Sequence, residues 1–133
     1  MCWLVVVEST ARSEDEVQRA LAPLQAEGWR LQHSLPCQGR GDLDSVAIAP
    51  TGVAVVIETK TRTYGARHLA RVHDQAAWLS PGRRLGALAA ICLVRMRGVE
   101  RSEDDVLVIS IDRLIPVLRV AARIRAADGH YIS

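Results

Sequence analysis

The sequence predicts an α/β protein in which helices flank a mixed central sheet. Three observations carry that expectation. Short apolar runs with strand-like alternation recur along the chain, and two segments between them place apolar residues at helical spacing. One pair of runs is joined by a tight Pro-Thr-Gly turn. With 133 residues, 49% apolar and 24% charged, the chain has the size and composition of one globular domain, expected over residues 1–133.

The elements follow in order. Residues 3–7 (Trp-Leu-Val-Val-Val) fit a short strand or a buried chain end. Ser13-Glu14-Asp15-Glu16 reads as a helix start, with Ser13 as the cap and Glu16 as its capping-box partner. Val17, Ala20, Leu21 and Leu24 continue that helix and Gly28 stops it. Trp29, Leu31, His33 and Leu35 alternate with polar residues, as in a strand ending at Pro36. Residues 43–49 and 53–60 are two more strands, joined through Pro50-Thr51-Gly52. Leu69, Val72, Ala76 and Leu79 mark a second helix, closed by Pro81-Gly82. Residues 89–96 and 105–111 read as strands on either side of a polar turn over 98–104. A final helix runs from about residue 112 to 127, with Pro116 tolerated in its first turns. The order is helix, three-strand meander, helix, strand, strand, helix, which is an α/β layer fold.

Composition narrows the function classes. A net charge of +2 is too small for a general polycation, so any nucleic-acid affinity must come from local clustering. No apolar run approaches the length of a membrane span, and no secretory leader pattern opens the sequence, so a soluble cytoplasmic protein without a membrane partner is expected. Three cysteines give neither a disulfide framework nor a zinc motif. Of the 17 basic residues, 16 are arginine and one is Lys60. A codon bias against lysine accounts for that composition, but the neighbours of Lys60 point to chemistry.

A three-residue loop over 50–52, with Gly52 in the left-handed position, pairs residue 49 with 53 and residue 44 with 58. Asp44 and Glu58 then oppose each other on one face, and Lys60 projects from the same face. Opposed carboxylates are destabilising unless a positive charge sits between them. A hard divalent ion such as Mg²⁺, which takes carboxylates together with water and phosphate oxygens, supplies that charge. A four-residue loop would place the two acids on opposite faces. A salt-bridge cluster on an exposed sheet face is the plain alternative for the three residues.

Gly41-Asp42-Leu43-Asp44, Ala49-Pro50-Thr51-Gly52-Val53 and Val56-Ile57-Glu58-Thr59-Lys60 together resemble the nuclease-related domain (NERD) family. That family belongs to the PD-(D/E)xK nuclease superfamily. The resemblance runs from about Glu14 to the strand near residue 111 and implies a restriction-endonuclease-like core of helix, three-strand meander, helix and strand. It implies that Asp44 and Glu58 are metal ligands for Mg²⁺ or Mn²⁺, with the Thr59 carbonyl completing the site. It implies that Lys60 positions the attacking water or offsets developing charge. Glu14 matches an additional acid of several members, and Gln75 a glutamine of related nucleases. The chain departs from the family in carrying Ser45 where a histidine is usual, and in a strand one residue longer before Glu58, which would call for a bulge.

The stretch 60–84 holds Lys60, Arg62, Arg67, Arg71, Arg83 and Arg84 against Asp74 alone. Arg67 and Arg71 share a helix face with Trp78. Beside a metal site, this reads as a phosphate-tracking patch rather than a merely solvated face. The expected function is a metal-dependent phosphodiesterase acting on DNA, branched or damaged DNA included. Two rivals are a nucleic-acid-binding module that cleaves weakly or not at all, and a protein-interaction domain whose apolar N-terminal strand forms a partner or homodimer contact.

Overall fold

A computed structural model of the protein describes residues 2–37, 39 and 41–132, with side chains described from 12 to 128 within those ranges. Helix α1 (Cys2–Leu21) leads through a 3₁₀ turn (Ala22–Glu27) into β1 (Arg30–Leu35), β2 (Leu43–Ile48) and β3 (Ala54–Lys60). Helix α2 (Ala66–Leu79) then crosses to β4 (Ala87–Leu93). Strands β5 (Glu100–Glu103) and β6 (Val106–Ser110), a short 3₁₀ turn and α3 (Leu114–Ile132) complete the chain. The six strands form one sheet in the order β1-β2-β3-β4-β6-β5. Its β1-β2-β3 meander and its β6–β5 pair are antiparallel, whereas β3, β4 and β6 run parallel. Helix, three-strand meander, helix, strand is the core the family resemblance implies.

Strand alternation sorts the interior into two layers. Ala47, Val55 and Ile57 face Val17, Leu21, Leu114 and Leu118 of α1 and α3. Val46, Ile48, Ala54 and Val56 face Leu69, Val72 and Ala76 of α2. The central strands are apolar on both faces, as strands covered by helices on either side must be. Where α2 ends, Ser80 Oγ donates to the Ala76 carbonyl and accepts from the Ala87 amide, at 2.9 and 3.1 Å, tying the helix to the start of β4.

Three sequence expectations are corrected. Residues 3–7 are not a strand but part of the first turns of α1, so the N-terminal strand expected as a partner or homodimer contact is a helix. An apolar run of five residues does not distinguish helix from strand by period alone. Ser13 is accordingly not the start of a helix: it lies buried inside α1, and Glu16 pairs with Arg95 at 3.1 and 3.0 Å. The polar turn over 98–104 contains β5, whose Glu-Arg-Ser-Glu sequence lacks apolar alternation. Side-chain contacts hold this charged edge strand. Tyr64 donates to Glu103 at 2.6 Å, Arg101 stacks on the Tyr64 ring, and Ser110 Oγ accepts the Val99 amide at 2.8 Å.

Gly28 ends the first helical segment in the left-handed region, φ 91°. A Cβ there would stand 3.3 Å from Cγ of Pro50 in the β2–β3 turn. Gly52, also left-handed at φ 99°, has open space around it. Gly28→Ala is therefore expected to destabilise the protein by about 1–2 kcal/mol from the backbone alone, plus the cost of moving the proline, and more than Gly52→Ala. Urea denaturation midpoints check the ranking; equal midpoints would contradict it.

Candidate active site

The hairpin closes through Ala49 and Val53: the Ala49 amide donates to Val53 at 2.9 Å and the Gly52 amide to Ala49 at 2.8 Å. The ladder then runs Ile48↔Ala54, Ala47↔Val55, Val46↔Val56 and Ser45↔Ile57. This is the register of the three-residue loop. β3 pairs with β4 without interruption from Ala54 to Lys60, so the extra residue before Glu58 is absorbed without a bulge.

One step beyond Ser45↔Ile57 the backbone ladder gives way to a side chain. The Thr59 amide donates to Asp44 Oδ2 at 2.9 Å. By alternation from Val56, Glu58 and Lys60 fall on the α2 side of the sheet, while Asp44 stands just past the last described β2–β3 pair, at the end of the hairpin. A strand residue points its N–H and C=O to the same edge, so the Thr59 carbonyl also faces Asp44 rather than β4. Lys60 Nζ lies 3.8 Å from Glu58 Oε1, and its carbonyl is held by the Val94 amide at 2.9 Å. Glu58 is only 6% exposed, and its Oε2 is buried with no hydrogen-bond partner.

Burial raises the pKa of both acids. For Asp44 the Thr59 amide, Lys60 and Arg71 pull it back, while Asp42 pushes it further up. For Glu58, Lys60 and Arg71 pull back and Asp44 pushes up. Glu14 reaches the same region from α1, and its carboxyl is raised by burial first, then by Asp44 and Asp15. Asp44 is thus coupled to Glu14 on one side and to Glu58 and Lys60 on the other. Among the described residues, however, no three His, Cys, Asp or Glu side chains are grouped closely enough to hold a metal ion. The two hairpin acids and a backbone carbonyl still fit the small protein share of a hard-cation site that leaves room for water and phosphate. The unpartnered Glu58 oxygen is the observation behind that fit.

Gln75 is buried on α2, where its Nε2 donates to the Asp42 carbonyl at 3.4 Å and steadies the segment entering β2. Ser45, beside Asp44, is buried and bonds His33 Nδ1 at 2.8 Å. Arg62, Arg67 and Arg71 are exposed near the carboxylate end of β3. Lys60, Arg67 and Arg71 are close enough together to depress the His68 pKa, after burial itself. Arg83 and Arg84 belong to the turn after α2, beside the start of β4. Since Glu58 pairs with Ile91 and Ala54 with Ala87, that end lies about 13 Å along the sheet from the acids. The basic stretch is thus split between two ends of the sheet. The Thr59 amide and the Gly41 backbone carry parts of the site that no side-chain pattern announced. The glycine just before Asp42 was the available signal.

A family model of the nuclease-related domain matches residues 9–86, more than half of the chain and inclusive of Glu14, Asp44, Glu58, Lys60, Gln75 and the arginines from Arg62 to Arg84. No curated protein matches. Among solved structures, a repair endonuclease from Pyrococcus abyssi is similar with a TM-score of 0.49 and 18% identity, over 61% of this chain and 37% of that one. This chain spans little more than a third of that protein.

A carboxyl whose folded pKa is raised favours folding below its ordinary value, and that contribution is lost as the pH rises through the raised value. From the ordinary 3.8 of Asp44 upward, burying the metal-free pair should cost increasingly more. In chelator, the melting temperature of Asp44→Asn relative to the wild type is expected to rise with pH through this range and level off near neutrality. A difference that stays constant or falls would contradict the buried pair.

Proposed function

The chain belongs to the nuclease-related domain family, and from that premise we propose that it is a metal-dependent phosphodiesterase cleaving DNA at the Asp44–Glu58–Lys60 ledge. The observation that carries the reading is the buried Glu58 oxygen without a donor beside a second, half-buried acid. An unpartnered buried carboxylate oxygen is costly, and cation binding is the use that offsets it.

Asp44, Glu58 and the Thr59 carbonyl would hold Mg²⁺ or Mn²⁺, with Glu14 acting through Asp44 or through bound water. When bound, such an ion polarises a phosphate oxygen and acidifies a water. The protein's own residues do the rest. Thr59 holds the Asp44 carboxylate at one oxygen, leaving the other to face the site. Lys60, a compact ammonium on a strand fixed from both sides, orients the water and offsets charge on the transition state. Arg62, Arg67 and Arg71 engage phosphates, with Arg83 and Arg84 a second contact further along the DNA. Gln75 keeps the Asp42 backbone in place. The lack of a three-side-chain ligand group among the described residues favours one further reading, a DNA-binding module that cleaves weakly.

Plasmid nicking with Mg²⁺, Mn²⁺ or chelator separates the two. Nicking that requires metal supports the enzyme; salt-sensitive binding without nicking supports the module. Lys60→Arg keeps the charge but replaces a point donor with a planar fork, and is expected to lose about 100-fold or more in nicking while retaining the metal-induced rise in melting temperature. Full activity in that variant would remove Lys60 from the chemistry.

The two acids of α1 should also part company. Glu16→Gln removes an ion pair with Arg95, worth about 1 kcal/mol or less, and should leave nicking intact. Glu14→Gln should weaken metal binding with a melting temperature in chelator no lower than that of the wild type. The reverse pattern would assign the wrong acid.

A further inference from the structure

Helix α2 grips the segment that leads into Asp44 at two points one turn apart. Gln75 bonds the Asp42 carbonyl, and the Arg71 guanidinium lies against Gly41. A Cβ at position 41 would overlap a terminal nitrogen of Arg71 and stand 3.1 Å from its Cζ. Gly41 also has φ 75°, so both the space and the backbone there call for glycine. The guanidinium is thereby admitted beside the acidic ledge, where it acts on Asp44 and Glu58 together with Lys60. Yet Arg71 is exposed and forms no ion pair among the described residues, so its donors are unspent. It lines an open groove of about 520 Å³ with Gly39, Gly41 and Arg67.

Resting on the nuclease reading above, we propose that Arg71 is a resident counter-cation of the acidic pair, exchanged when substrate arrives. In the free protein it offsets Asp44 and Glu58 from across Gly41. With DNA bound it turns its fork onto a phosphate oxygen beside the scissile bond and leaves the pair to the divalent ion. A fork with free donors suits a phosphate, and a guanidinium never loses its charge. This role separates Arg71 from a phosphate-tracking arginine by sign. Removing a tracking arginine weakens DNA binding and leaves metal affinity alone. Removing a counter-cation strengthens metal binding while slowing cleavage.

Calorimetric titration of Mn²⁺ into the DNA-free protein reads the first effect, and single-turnover nicking at saturating DNA and Mn²⁺ reads the second. Arg71→Ala is expected to bind Mn²⁺ about tenfold more tightly, the size of a lost unit charge acting on a divalent ion a few ångströms away. Its nicking should slow by tenfold or more. Arg71→Lys should bind Mn²⁺ as the wild type does, because the charge remains, but nick more slowly. Gly41→Ala, which pushes the guanidinium out, should shift Mn²⁺ affinity in the direction of Arg71→Ala. Equal or weaker Mn²⁺ binding by Arg71→Ala overturns the exchange while leaving the nuclease reading standing. Failure of the wild type to bind Mn²⁺ at all overturns the nuclease reading itself.

Discussion

Two carboxylates are carried into the protein at the end of one hairpin, and the pair must be neutralised there. Glu58 is almost fully buried with one oxygen unbonded, a state that costs about 1–3 kcal/mol or more for a charged group. Much of the surrounding architecture bears on this debt. The three-residue turn sets the register that brings Asp44 and Glu58 together at the end of the hairpin. The Thr59 amide satisfies one oxygen of Asp44, and α2 brings Arg71 over Gly41. Lys60 follows two residues after Glu58, on a strand locked between β2 and β4. None of these groups bonds the second oxygen of Glu58.

The layering of helices on both faces of one mixed sheet explains why such an arrangement holds together. β3 is apolar on both faces up to Ile57 and changes character at Glu58, so the same strand that anchors the core carries Glu58 and Lys60 at its end. The crossover through α2 then returns a helix over that end. Its buried stripe of Leu69, Val72 and Ala76 packs on the sheet, while Arg67 and Arg71 remain outside.

The parts legible in the sequence were those set by local rules. Strand alternation, the glycine of the tight turn and the spacing of Asp44, Glu58 and Lys60 require only neighbours along the chain or across one hairpin, and the register followed from loop length alone. What was not legible depended on distant partners. Glu16 resembled a capping residue because its contact, Arg95, comes 79 residues later. Helix α1 could begin at Cys2 because apolar runs do not declare their period, and β5 forms only because β6 and Tyr64 receive it. The arginine-rich stretch looked continuous in sequence but wraps around α2, so its two ends face different parts of the sheet.

The claim on which the rest depends is that the Asp44–Glu58 pair is a cation site. Paramagnetic Mn²⁺ titrated into the ¹⁵N-labelled protein tests it directly, since the ion broadens amide signals nearest to where it binds. The Thr59 and Asp44 amides are expected to disappear first, at sub-stoichiometric Mn²⁺, and to be spared in Glu58→Gln. Broadening that begins instead at the exposed Asp104–Asp105 turn, or is uniform across the spectrum, would contradict it.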